Sequence, residues 1–335
     1  MSEAHKKNML GNDTNLYTQS VYLISQAAYL YYILGLSQKD VAKKLDLSPS
    51  TISRLIKAAK DLGIIDIRMN PIHENSVKLH DQLLSTYKLK EIIIAPVCSN
   101  MDSDQVKQSV ALEGARYIQR IISDNDILGI AWGGTMNYLI NLLNPSQKKN
   151  TKFVTLHGSI YNFDYEIDVQ TLVSEIAKAF NGKRYGMMVN GLLRSEEAVQ
   201  IIQKEPNITR VYQMFEQITV SLSGIGSFVP EITSSLGHSG YLRKDELREL
   251  KEEGVCGDLM IRFFNKDGKE CNTSLKNRTM AIEYDQYQKI PNKIVAASGV
   301  HKAQAIVSAI NGRLIDTLIV DSLLAQQLLD LAKTT

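Results

Sequence analysis

The stretch "DILGIAWGGTMNYLINLL", residues 126–143, carries the residue types of an anion cradle. Ile127 to Trp132 is a compact apolar run suited to a buried strand, and Gly133-Gly134 lets the backbone turn sharply and approach a ligand. Thr135 is then expected to cap the helix that follows, whose free first-turn N–H groups and dipole favour a negative charge. The same Gly-Gly-Thr also fits a tight strand-to-helix connection with no ligand. Three other places put comparable groups after apolar runs: His157-Gly158-Ser159, Gly224-Ile225-Gly226, and Ser298-Gly299 with Lys302. Glycine-bearing loops and a lysine at a helix start suit a phosphate together, although a lone lysine also fits a solvated helix and a buried His157 also fits a hydrogen-bonded core. "SGIG" lacks the third glycine of a dinucleotide fingerprint, and no Gly-x4-Gly-Lys-Ser/Thr loop occurs. Neither a nicotinamide cofactor nor a nucleotide-dependent sugar kinase is therefore expected, and no cofactor is assigned.

The elements that must position these groups alternate along the chain. Strand-like runs at "EIIIAP", "ILGIAW", "FVTL", "RYGMMV", "ITVSLSGIG", "KIVAAS" and "DTLIVD" are separated by helical patterns such as 105–123, 168–180 and 302–311. Such alternation predicts a doubly wound, mostly parallel sheet covered on both faces, an α/β domain over residues 91–333. Ligands of open α/β sheets bind beyond the carboxyl ends of the strands, where all four groups above fall.

The amino-terminal part reads differently. After a helix at roughly 18–34, "GLSQKDVAKKLDLSPSTISRLIKAAKDLGIIDIRM" predicts two short helices, with Ser37 capping the first and Ser48-Pro49 starting the second. Val41, Ala42 and Leu45, then Ile52, Leu55, Ile56 and Ala59, recur at helical spacing, and the short connection Asp46-Leu47 is that of a helix-turn-helix. The second helix would expose Ser48, Ser50, Thr51, Ser53, Arg54 and Lys57, hydroxyls and cations that can approach base edges and phosphates of double-stranded DNA. "GIIDIRMN" is suited to a small strand, which predicts a winged helix-turn-helix over residues 15–70. Residues 71–90 then form a linker that becomes a helix, a candidate for assembly into a dimer or tetramer. The apolar spacing there is Val77, Leu83, Leu84 and Tyr87.

Composition is consistent with this division. The chain has 335 residues, 44% hydrophobic and 22% charged, enough for about two domains. Residues 1–70 hold nine Lys/Arg against six Asp/Glu, while the rest is nearly balanced, a bias that suits a polyanion. Cys98, Cys256 and Cys271 are odd in number and widely spaced, which argues against a disulfide framework or a zinc site. The start lacks a signal-peptide core and the most apolar stretch falls short of ~20 residues, so a cytoplasmic protein without a membrane span is expected.

The segment 31–65 resembles the helix-turn-helix of the SorC family of bacterial transcriptional regulators. "GIAWGGTM", "LHGS", "SGIGSF", "GVCGDLMIRFFNKDGKE" and "ASGVHKAQAIVSAINGRLIDTLIVDSLLAQQLL" follow in the family's order, so the resemblance covers about residues 20–330. The block "GDLMIRFFNKDGK…NRT" is most similar to the deoxyribonucleoside-regulator branch. The resemblance implies an effector domain related to glucosamine-6-phosphate deaminase and ribose-5-phosphate isomerase, a phosphorylated sugar effector, and usually a tetramer. It implies Gly133, Gly134 and Thr135 as phosphate-loop residues, Lys302 as a second phosphate contact, and Asp258 as a carboxylate facing sugar hydroxyls. Gln170, on the helix after "LHGSIYNF", is a further implied pocket position. The chain departs from the family at His157-Gly158-Ser159 and at "VDSLLA", where many members have Thr-Asp-Glu. The expected function is a DNA-binding regulator, a repressor controlled by a sugar phosphate. A sugar-phosphate isomerase or deaminase, needing a positioned acid and base, is the alternative.

Overall fold

The computed structural model describes residues 20–147, 149–160, 168–238 and 240–334. The expected boundary at residue 15 and the segment 161–163 of "LHGSIYNF" lie outside them. The chain divides into two compact units after Asn70.

The first unit is a three-helix cluster: α1 (Val21–Ala28), α2 (Gln38–Leu45) and α3 (Pro49–Asp61). Ile24, Ala27, Val41, Ile52, Leu55, Ile56 and Ala59 close its core, as their spacing requires. Ser37 caps α2 by accepting from the Asp40 amide, and Ser48 caps α3 by accepting from the Thr51 amide, with Pro49 at the first helical position. Asp46 ends α2 in the left-handed region, φ 52°, so the two helices meet across a tight turn. Past α1 the helix widens into a π turn over Tyr29–Ile33, closed by Gly35 at φ 67°. The expected wing is corrected: no strand occurs over residues 62–70. The amides of Ile64 and Ile65 both donate to the Ala59 carbonyl, and their side chains pack on the helical core. A ladder also needs a second strand, and the chain enters its next helix at Pro71.

The second unit begins with α4 (Pro71–Tyr87), β1 (Glu91–Ala95), α5 (Ser103–Ile121), β2 (Ile127–Ile130), α6 (Gly134–Asn141), β3 (Lys152–Thr155), α7 (Val169–Phe180) and β4 (Lys183–Tyr185). It continues through α8 (Glu196–Ile202), α9 (Pro206–Phe215), β5 (Val220–Ser223), β6 (Gly226–Ser227), α10 (Ser235–His238), α11 (Lys244–Glu252), β7 (Val255–Leu259) and β8 (Arg262–Asn265). It closes with α12 (Tyr284–Lys289), β9 (Asn292–Ala297), α13 (Ala303–Asn311), β10 (Thr317–Asp321) and α14 (Ser322–Thr334). Seven strands form one parallel sheet in the order β1-β10-β9-β5-β2-β3-β4. Its two faces are two separate cores. One holds Val110 and Ile118 of α5, Leu139 of α6 and Leu172 and Ile176 of α7. The other holds Leu79 and Leu83 of α4, Phe215 of α9, Ile306 of α13 and Leu324 and Leu328 of α14. The helix after Pro71 is thus bound into the second unit through Leu79 and Leu83, while Val77 stays 58% exposed.

From β2 the strand order runs outward through β3 to β4, and from β5 it runs the other way through β9 and β10. The β2/β5 boundary is therefore the switch point where an open α/β sheet leaves a crevice. A second, antiparallel sheet, β6-β7-β8, stands beside it. Sequence patterning missed this small sheet, because its β7–β8 turn is made by Met260 and Ile261, at φ 53° and 64°, without glycine or asparagine.

Candidate functional site

A cavity with about 540 Å³ of atom-free space, part of it open to solvent, lies at the switch point. The chain after β2 supplies Ala131, Trp132, Gly133, Gly134 and Thr135, and the chain after β5 supplies Gly224, Ile225 and Gly226. Thr233 to Leu236, Asp258, Met260 and Lys302 complete the lining.

The anion end is built from α6. Gly133 is its N-cap at φ 148°, a backbone state that favours glycine, and it offers no side chain to the first-turn amides. Those amides have no partner within the helix. A side chain at Gly134 would meet nothing within 4 Å, so the helix start opens onto free space. Thr135 is not the cap expected from sequence: it is the second residue of α6 and is buried, with the cap role falling to Gly133. Lys302 ends a 3-10 turn, Val300–Lys302, directly ahead of α13. Burial pushes its ammonium down to about 8 despite the countering charge of Asp258.

A second wall is β7. Asp258 pairs with Gly226 of β6, and a Cβ at Gly226 would overlap both the Asp258 carboxylate and the Ser234 hydroxyl. Ser234 donates to Asp258 Oδ1 at 2.6 Å. Burial pushes the Asp258 carboxyl up to about 6, against that hydrogen bond and the Lys302 charge. The cavity thus offers the free amides of α6, the Lys302 ammonium and the buried Asp258 carboxyl, the last two near enough for their charges to act on each other.

His157, Gly158 and Gln170 do not line this cavity among the described residues. His157 is fully buried and its Nε2 accepts from the Trp132 amide at 3.1 Å. Its proton is therefore on Nδ1, which donates to the Gly158 carbonyl at 2.7 Å. Burial lowers it to about 4, so the ring is neutral and fixes the backbone one residue before Gly133. Gly158 lies against the backbone of Val189 and Asn190, where no side chain fits. Gln170 donates to the Met187 carbonyl at 2.7 Å and fills the space beside Gly186. Thr233, Ser234 and Met260 were absent from the sequence-based set. The hydroxyl run Thr233-Ser234-Ser235 downstream of "SGIGSF" was the signal available.

On α3, Ser48, Ser50, Ser53, Arg54 and Lys57 are exposed and Thr51 half-buried. The hydroxyls of Ser50 and Thr51 each lie 2.8 Å from that of Ser48, in the cap itself. Ser53, Arg54 and Lys57 are left as the outward polar face.

The comparisons with known proteins fall on the same two parts. A family profile described as "Putative sugar-binding domain" matches residues 72–330, and a helix-turn-helix profile matches residues 34–64. The chain is 28% identical to the deoxyribonucleoside regulator of Bacillus subtilis over 307 residues, 91% of this chain and 96% of that one. It is 26% identical to the sorbitol operon regulator of Klebsiella pneumoniae over 314 residues, 93% of this chain and 99% of that one. The crystal structure of the full-length Klebsiella pneumoniae protein superposes with a TM-score of 0.73 at 26% identity, covering 93% and 99% of the two chains. A helix-turn-helix joined to a sugar-binding α/β domain defines a transcriptional regulator. The chain belongs to the SorC family of sugar-binding transcriptional regulators.

Among the described residues, no helix is long and apolar enough to cross a membrane.

Proposed function

We propose that this regulator is a cytoplasmic repressor of a carbohydrate or nucleoside catabolic operon, released or retained on its operator by a phosphorylated sugar. The observation that carries the reading is the start of α6, which has no cap side chain and opens onto a cavity shared with Lys302. An anion there gains the first-turn amides, the helix dipole and a charge-assisted hydrogen bond. Asp258, at the other wall, suits hydroxyls of the sugar. Operator contacts are assigned to α3, with Arg54 and Lys57 on phosphates or base edges and the hydroxyls of Ser48, Ser50, Thr51 and Ser53 beside them. A dimer or tetramer accompanies this role, because a symmetric operator is best read by a symmetric protein.

The protein is a sensor in this reading, without turnover of its ligand. Asp258, held near 6, favours the isomerase or deaminase alternative, since an acid so tuned can move protons near neutral pH. That chemistry also needs a second acid or base at the sugar carbonyl, and Asp258 is the sole carboxylate among the lining residues described. Incubation with ribose 5-phosphate, glucose 6-phosphate or fructose 6-phosphate should return them unchanged.

The deciding experiment measures operator binding with and without those sugar phosphates for the parent and Lys302→Ala. A hydrogen bond to a charged group is worth roughly 1.5–3 kcal/mol, so the variant should bind the effective sugar phosphate roughly 10- to 150-fold more weakly. Its operator affinity without sugar should match the parent. An undiminished response in Lys302→Ala would refute the anion site.

A further inference from the structure

One wall of the cavity carries a group that neither the anion site nor Asp258 uses. It is the segment between β6 and α10, and it is tied down at several points. The amides of Thr233 and Ser234 both donate to the Ser227 carbonyl at 2.9 Å. The Ser227 hydroxyl lies 2.8 Å from the Val229 carbonyl and 3.2 Å from that of His301, next to Lys302. The backbone of this wall is consequently held in place. The Ser234 hydroxyl is engaged by Asp258. Thr233 lines the same cavity, yet its Oγ1 is buried and unpaired. Buried hydroxyls in folded proteins are hydrogen-bonded with few exceptions, and leaving one unpaired is costly.

We propose that Thr233 is a specificity-determining contact whose hydroxyl hydrogen-bonds a hydroxyl group of the bound sugar, beside the position taken by Asp258. The inference rests on the reading of this cavity as a sugar-phosphate pocket. A threonine hydroxyl is both donor and acceptor and carries no charge, which matches a sugar hydroxyl. The phosphate stays with α6 and Lys302. A site built to hydrogen-bond a hydroxyl rejects the analogue that lacks it, because its own polar group is then left unpaired. The pocket therefore separates a hydroxylated sugar phosphate from its deoxy counterpart through Thr233.

The test uses the full chain as parent, Thr233→Val and Thr233→Ser. Valine keeps the branched shape and removes the hydroxyl, and serine keeps the hydroxyl. Each is titrated calorimetrically with ribose 5-phosphate, 2-deoxyribose 5-phosphate, glucose 6-phosphate and fructose 6-phosphate. Inorganic phosphate serves as a probe of the anion end alone. Thr233→Val should melt at the parent's temperature or above it without ligand. It should bind the sugar phosphate preferred by the parent roughly 2- to 12-fold more weakly, the range of one neutral hydrogen bond. Its affinity for inorganic phosphate should be unchanged, and Thr233→Ser should retain most of the parent's affinity. Equal binding of every sugar phosphate by Thr233→Val and parent overturns the inference, as does an equal loss for inorganic phosphate. A parent that binds inorganic phosphate but no sugar phosphate, or neither, overturns the pocket reading and the inference with it.

Discussion

Replacing Asp258 with asparagine should change how stability depends on pH, in a direction set by burial. The Asp258 carboxyl rises from 3.8 to about 6 on folding. A carboxyl raised in this way contributes stability that is fully present below pH 3.8 and lost as pH rises through about 6. The gap corresponds to about 3 kcal/mol. His157 has the opposite sign. Its ring falls from 6.5 to about 4, so its contribution is present above pH 6.5 and lost as pH falls through about 4, again by about 3 kcal/mol. Between pH 4 and 6.5 the two nearly offset each other in the parent. Asp258→Asn removes the first and exposes the second. The variant should be more stable than the parent by up to ~3 kcal/mol at pH 7.5. That advantage should vanish by pH 4. Trp132, the single tryptophan, lines the cavity and donates its amide to His157, so urea unfolding followed by its fluorescence reads this region directly. Parent and variant curves that stay parallel from pH 4 to 8 would refute the argument that burial strains this acid.

Two further outcomes follow from the same geometry. Arg54→Ala, on the exposed face of α3, should weaken specific operator binding by ~1–3 kcal/mol if the arginine pairs with a guanine edge; a gel-shift midpoint equal to the parent's would remove it from the interface. Because Lys302 is depressed to about 8, affinity for ribose 5-phosphate should fall as pH rises from 7 through 9, while Lys302→Arg should flatten that profile; a flat profile in the parent would separate Lys302 from the phosphate.

The parts of this protein legible in its sequence are those whose signals are local. Ser37 and Ser48 read as caps because a cap is fixed by the residues within one turn of it. The inner strands of the main sheet, β2, β5, β9 and β10, read as apolar runs because both faces are buried. The edge strand β4, Lys183-Arg184-Tyr185, is largely exposed, and its apolar signal came from the residues after it. Gly133 reads as a turn because few other residues adopt its backbone, at φ 148°. What escaped depends on partners distant in the chain or on strained exceptions. Ile64 and Ile65 have strand propensity, but the Ala59 carbonyl and the helical core claimed them first. The β7–β8 turn gave no signal, since Met260 and Ile261 hold positive φ against their own preference. His157 reads as a site residue from its place after a strand, yet the Trp132 amide, reached across 25 residues, makes it a support. Asp258 entered through family resemblance alone, because its neighbours Gly226 and Ser234 lie 32 and 24 positions away.

The volume shared by Gly226 and the Asp258 carboxylate couples two positions as sequences drift. A Cβ at 226 overlaps the carboxylate of Asp258 and the hydroxyl of Ser234, so a side chain there is acceptable only when the residue at 258 is shorter or both side chains move aside. Glycine at 226 is therefore lost only together with a change in how the groups at 258 and 234 sit. A descendant that makes that change has also rebuilt the wall that faces the ligand. Retention of glycine at 226 would then mark relatives that still read the same kind of ligand, and its loss would mark those that have turned to another.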